Sequence, residues 1–312
     1  MSAPLAQTQK LRAERCKSIF RNYELYLFLL PTFLYFLVFH YGPMYGVQIA
    51  FKNFTASRGI WGSPWVGFAH FQRFFSSYQF WSLLRNTLGI SLYSLIAGFP
   101  VPIILALLLN QIPGKRFRRT VQTITYAPNF ISVVVIVGML LVFLSPRGGL
   151  INAIIELFGG TSIYFMARPE WFQTIYVLSG IWQGAGFGSI IYLAALSSID
   201  PQLHEAAIVD GATKLQRIRH IDIPGIVPTA VILLILNTGT IMNVGFEKAF
   251  LMQTPLNLET SEIISTYVYK VGLVNAQFSF SSAVGLFRAA INLTLIVAVN
   301  RFARTVGETA LW

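Results

Sequence analysis

Six long apolar stretches, Leu25–Phe51, Thr87–Leu109, Val121–Leu144, Phe172–Ile199, Ile226–Phe246 and Ala283–Val299, limit what this chain can fold into. Each approaches or exceeds the ~20 residues an α-helix needs to cross a hydrocarbon core. Within a bilayer the backbone must satisfy its own N–H and C=O groups, so such runs read as helices. A soluble core would need fewer and shorter ones. The chain is 54% apolar and only 11% charged, against roughly 25% charged in an ordinary soluble domain. The expected fold class is an all-α integral membrane protein with six transmembrane helices. Residues 25–305 form one membrane domain, preceded by a polar segment, 1–24, and followed by a short tail, 306–312.

The first stretch follows about two dozen polar residues, exceeds a signal-peptide core in length, and has no small-residue cleavage pattern behind it, so it reads as a retained anchor. The net charge of +11 raises the question of nucleic acid, but the basic residues sit at span ends and alternate from side to side. With the N-terminus in the cytoplasm, fourteen Lys and Arg fall in inner segments and eight in outer ones. This bias places both termini, the loop around Lys115 and the loop around Glu205 on the cytoplasmic side. Residues 10–22 mix Leu11, Ile19 and Phe20 with five basic side chains, which suits either a short helix on an anionic leaflet or a polar tail. The aromatic residues of 52–83, from Trp61 to Trp81, read mainly as an outer interfacial belt. Gly180, Gly184 and Gly188 make a small-residue ridge for close helix packing.

Several chemistries are missing from the sequence. Gly184–Gly188 lacks the Lys-Ser/Thr of a phosphate loop, and Gly114-Lys115 lacks the preceding glycine. His40, His70, His204 and His220 have no metal-ligand spacing, a single Cys16 allows no internal disulfide, and no Ser/His/Asp set is suggested locally. No nucleotide, metal or catalytic site is expected in this chain.

The most distinctive polar segment lies between the fourth and fifth apolar stretches, at residues 200–224. Asp200-Pro201 is a helix start, Gly211 a helix stop, and Thr213 a second cap. The intervening helix of about ten residues is too short to span. It carries Glu205 and Asp210 as charged handles and Ala206 and Ala207 as small contact residues, while Pro224 and Pro228 mark the turn back into lipid. Spacing alone leaves two readings, a docking element for a soluble partner or a hairpin simply solvated at the membrane surface.

The segment EAAIVDGATKLQRIRHIDIPGIVP resembles the EAA loop of membrane subunits of bacterial ABC importers, with Glu205, Ala206, Ala207, Gly211, Ile221 and Pro224 at the family's spacing. PTFLYFLVFHYGPMYGVQIAFKNF, TYVYKVGL and AVGLFRAAINL resemble carbohydrate-uptake permeases, particularly those for oligo- and polysaccharides, and the likeness runs from about residue 25 to 305. The resemblance implies a type I ABC importer permease fold (MetI-like) in the bacterial inner membrane. It also implies a second permease subunit in a heterodimer, two copies of a cytoplasmic ATPase that hold ATP and Mg, and a periplasmic or extracellular solute-binding protein. Glu205, Ala206, Ala207, Asp210, Gly211, Ile221 and Pro224 would then form a coupling helix and its support. A permease for another solute, such as a peptide, is the nearest rival; a membrane-embedded enzyme or sensor with a docking hairpin is the next.

Arg288 is the anomalous charge of the last span. Intramembrane charges face a protein interior or aqueous cavity, snorkel to headgroups, or pair. It can therefore face a translocation path and attract an acidic sugar, snorkel, or pair with Glu247. Asn237, Asn243 and Asn292 are candidates for hydroxyl contacts in the same path, or for interhelical hydrogen bonds.

Overall fold

The computed structural model describes residues 23–305, so the interfacial reading of 10–22 and the tail 306–312 lie outside the described residues. Among the described residues the chain is helical, with no strand and one isolated antiparallel bridge, Lys52 to Trp65. Two units are distinguished, one up to Gly67 and one from Phe68 onward.

In the first unit, α1 (Tyr23–Phe36) continues through a π turn and a 3-10 turn to Phe51, an apolar stretch of 29 residues. No residue of α1 is buried. Lipid is as apolar as these side chains, so their exposure carries no hydrophobic penalty there. Beyond it, Lys52 donates to the carbonyl of Ile60 at 2.7 Å and lies over the Trp65 ring, which closes a small loop around the bridge.

The second unit contains α2 (Phe80–Gly98), α3 (Pro100–Asn110), α4 (Lys115–Tyr126), α5 (Val133–Phe143), α6 (Pro169–Ser197), α7 (Pro201–Val209), α8 (Lys214–Arg217), α9 (Ile223–Gly239), α10 (Phe246–Met252) and α11 (Phe278–Thr305). Helix α6 is its axis, packing on α2, α3, α4 and α9, while α9 pairs with α11. Five helical stretches are long and apolar enough to cross a membrane, or six if the bent stretch 115–143 counts as one. That bend is 98°, so the apolar stretch 121–144 is not one uninterrupted helix. Pro128 lies in a 3-10 turn, Ile131 is extended, and Ser132 caps α5 by accepting from Val135 N–H. The missing proline N–H and the new cap together end one helix and start the next.

The fifth span differs too. It was expected to reach Phe246 but stops at Gly239, and residues 240–245 leave the helix. The Asn292 side chain accepts the freed N–H of Met242 at 3.0 Å. At its other end the span begins earlier than expected. Pro224 makes no turn back into lipid, because α8, the π turn Ile218–Asp222 and α9 form one continuous helical stretch of 26 residues. Ile223 N–H reaches back five residues to Ile218 C=O, and this wider turn carries the helix up to the proline without a break.

Buried polar side chains stitch the segments between the long helices to the bundle. Asn86 Nδ2 donates to the carbonyls of Glu259 and Glu262 at 2.8 and 3.0 Å, and Thr87 Oγ1 accepts from Ile264 N–H at 3.0 Å. Asn257 Nδ2 donates to Met166 C=O at 2.9 Å. Part of the aromatic segment is likewise core: Phe74 is fully buried and packs edge-on against Phe80, Phe280 and Phe287. Trp61, Tyr78 and Trp81 stay exposed, as an interfacial belt requires.

The glycine ridge of α6 is only partly used as expected. A Cβ at Gly184 would meet nothing within 4 Å, whereas one at Gly188 would touch Pro102 at 3.4 Å. The closest approach is at Gly186, where a Cβ would overlap the backbone carbonyl of Thr125. Because backbone cannot swing aside, Gly186→Val should separate α6 from the end of α4. Overpacking of this kind costs about 1–3 kcal/mol or more. A drop in the thermal unfolding midpoint of the detergent-purified protein, absent in Gly184→Val, is the expected outcome.

Candidate functional site

The segment 200–224 folds as its caps require. Asp200 accepts from Gln202 N–H at 2.9 Å and Pro201 occupies the first turn of α7. At the other end Gly211 adopts φ +81°, a conformation that glycine enters without steric cost. Ala212 N–H then reaches Ala207 C=O at 2.8 Å and Gly211 N–H reaches Ile208 C=O at 3.0 Å, satisfying the last carbonyls of the helix. A capping box follows directly: Thr213 N–H donates to Gln216 Oε1 at 2.7 Å, and Gln216 N–H to Thr213 Oγ1 at 3.4 Å.

Helix α7 has no fully buried residue. Glu205, Ala206 and Asp210 are exposed and Ala207 is half-buried. Leu203, Ile208 and Val209 are 54, 56 and 86% exposed, and Leu215 on α8 is 74% exposed. Apolar side chains raised on a stiff polar hairpin form a projection suited to a cleft in another protein. Ile221 is half-buried in the π turn, and Pro224 lies in the first turn of α9. The expected residues thus occupy two places, with 205–211 in the projection and 221–224 in the continuous helical rod behind it.

The expected path residues are divided between cavities. Asn237 and Asn243 line a cavity of about 440 Å3 with Ser91, Ser94, Tyr176, Tyr192 and Thr240. Asn292 stands behind it, donating to Asn243 Oδ1 at 3.2 Å while accepting from Met242; it supports the broken end of α9. Arg288 faces a different cavity, of about 530 Å3, with Tyr269, Ser265, Ser281 and Ser282. Among the described residues no carboxylate lies within ion-pair distance of Arg288, so the pair with Glu247 does not form.

The cavity hydroxyls were missed in the sequence. Ser91 and Ser94 are three residues apart on α2 and share a face, a weak signal by itself. Lys248 was also passed over as an outer-loop charge. It is buried beside the first cavity's wall, donating to Tyr176 C=O at 2.9 Å with its ammonium over the Tyr176 ring. Burial pushes its amine down to about 8.

Comparison with known proteins agrees with these features. Residues 98–308 match the family described as binding-protein-dependent transport system inner membrane component. The polygalacturonan/rhamnogalacturonan transport system permease protein YteP of Bacillus subtilis (strain 168) is 45% identical over 312 residues, covering all of this chain and 97% of that protein. Protein LplB of the same organism is 42% identical over 292 residues, 94% of this chain and 92% of that one. A chain from the crystal structure of a bacterial ABC transporter involved in the import of the acidic polysaccharide alginate superposes with a TM-score of 0.87 at 45% identity, covering 94% of this chain and 99% of that chain. Capped hairpin, continuous rod and broken spans converge with this likeness, and the chain belongs to the family of binding-protein-dependent transport system inner membrane components.

Proposed function

We propose that this chain is the permease subunit of an ATP-driven, binding-protein-dependent importer of oligo- or polysaccharide, and that its cargo is acidic. The observation that carries the transport reading is α7, a helix capped at both ends with its apolar side chains exposed. It projects from a hairpin whose other arm is continuous with a spanning helix. A rigid element joined to two spans passes on a displacement, whereas a loose loop dissipates it. The chain itself performs no bond chemistry.

The assembly we propose pairs this subunit with a second permease in a heterodimer. Two ATPase copies on the cytoplasmic face bind ATP and Mg, and an external binding protein delivers the saccharide. Both termini and the 200–224 hairpin face the cytoplasm, as the Lys and Arg bias supports. Glu205, Ala206, Ala207, Asp210 and Gly211 meet the ATPase. Ser91, Ser94, Asn237 and Asn243 offer hydroxyl and amide groups to sugar hydroxyls in the first cavity. Arg288, without a carboxylate partner, offers its guanidinium to a uronate carboxylate. Support for acidic cargo comes from the relatives, whose names specify polygalacturonan/rhamnogalacturonan and alginate.

Two measurements test this. In proteoliposomes holding the full importer, Gly211→Pro imposes φ near −65° where +81° is required. Uptake should fall by on the order of tenfold or more through loss of the helix stop, with ATP hydrolysis persisting. Glu205→Lys should do the same by reversing a docking charge, and an assembled Gly211→Pro importer with normal uptake removes the lever. Arg288→Gln should lower uptake of uronic-acid oligosaccharides about ten- to a hundredfold more than that of neutral ones, since a hydrogen bond to a charged group is worth about 1.5–3 kcal/mol. Equal loss for both cargoes would make Arg288 structural.

A further inference from the structure

Asp222 is fully buried, although its hairpin is largely turned to solvent. It ends the π turn Ile218–Asp222, immediately before α9. Its two oxygens reach two other parts of the chain. Oδ2 accepts from Gln111 Nε2 at 3.1 Å, and Gln111 is the residue that closes α3. Oδ1 lies 3.3 Å from His204 Nε2 on α7; this is an ion-pair distance without hydrogen-bond alignment, since Oδ1 has no hydrogen-bond partner by geometry. Arg217 of α8 adds positive charge on the same side, with its Nε buried and without a hydrogen-bond partner.

One buried carboxylate therefore joins α7, the rod α8–α9 and the end of α3. Along the chain, helix α7 is joined through two short links, 198–200 and 210–213, and two chain connections alone leave rotation about the line between them. The His204 contact supplies a third. The cost of a buried carboxylate that loses a partner opposes any motion of α7 that leaves the rod and α3 behind. Both connected elements reach the first cavity: α3 contributes Pro102, and α9 contributes Leu233 and Asn237.

We infer that Asp222, with His204 and Gln111, is the joint through which a displacement of α7 is delivered to the helices around the saccharide cavity. The three are positioning residues. They lie behind the exposed Glu205, Ala206 and Asp210, so they orient the projection from within. The inference rests on the reading of α7 as the element an ATPase moves.

The test uses the complete importer in proteoliposomes with saccharide-loaded binding protein, measuring uptake per ATP hydrolysed and retention of the ATPase on co-purification. His204→Ala opens the joint at a half-buried surface position, where the bundle has little reason to unfold. It should keep the ATPase bound while uptake per ATP falls about tenfold, a coupling loss in the usual range for linked sites. His204→Gln can bring a side-chain N–H to the unpaired Oδ1 and should return the ratio to within about twofold. Gln111→Met, which opens the other arm, should resemble His204→Ala. Unchanged uptake per ATP in His204→Ala, or an equal defect in His204→Gln, overturns the joint while the lever stands. Failure of the unmodified protein to co-purify with an ATPase overturns the lever and the joint with it.

Discussion

Inside a bilayer a backbone N–H or C=O has no water to turn to, and each unpaired group costs several kcal/mol. The irregular points of this structure follow from that constraint. Where α9 ends early, Asn292 takes the N–H of Met242; where the segment around Ile264 enters the bundle, Thr87 takes the N–H of Ile264. Where Pro224 lacks an N–H, the helix widens into a π turn. Breaks in the helices are placed where a side chain, a cap or a wider turn can take over the pairing.

The same constraint separates the lipid side from the interior. Leucine, isoleucine and valine side chains such as Ile96, Leu108 and Leu293 are exposed on the helix surfaces, while Asn86, Thr87, Ser189 and Asn257 are buried. With no hydrophobic force between helices in lipid, contact depends on close packing and on interhelical hydrogen bonds. Gly186 against the Thr125 carbonyl supplies the first, and Asn86 and Asn257 supply the second. The cavity lined by Ser91, Ser94, Asn237 and Asn243 opens where α9 has stopped being helical, so the break that needs Asn292 also shapes the cavity wall.

The hairpin at 200–224 joins local and tertiary physics. Its caps stiffen it at both ends, and the unbroken path from Lys214 to Gly239 gives that stiffness length. Buried Asp222 then ties it to α3. The exposed α7, the rod α8–α9 and the end of α3 are thereby linked, and α3 and α9 both line the cavity.

The sequence by itself determined the helical membrane class, the approximate spans and the capped hairpin at 200–224. Asp200, Gly211 and Thr213 act on groups within a few residues, so their effect is local and legible. The sequence did not determine the 98° break at Ser132, the early end of α9, the continuity through Pro224, or the burial of Phe74 and Lys248. Each depends on what another segment offers, whether an amide from Asn292, a carbonyl from Tyr176 or a ring from Phe280. The path residues show the division most clearly. Apolar surroundings marked Asn237, Asn243, Asn292 and Arg288 alike, but only tertiary packing put the first two in one cavity, Asn292 behind them and Arg288 in another. Hydrophobic periodicity fixes that a residue is in a helix; which neighbour its polar atoms meet is decided by distant chain brought within a few ångströms.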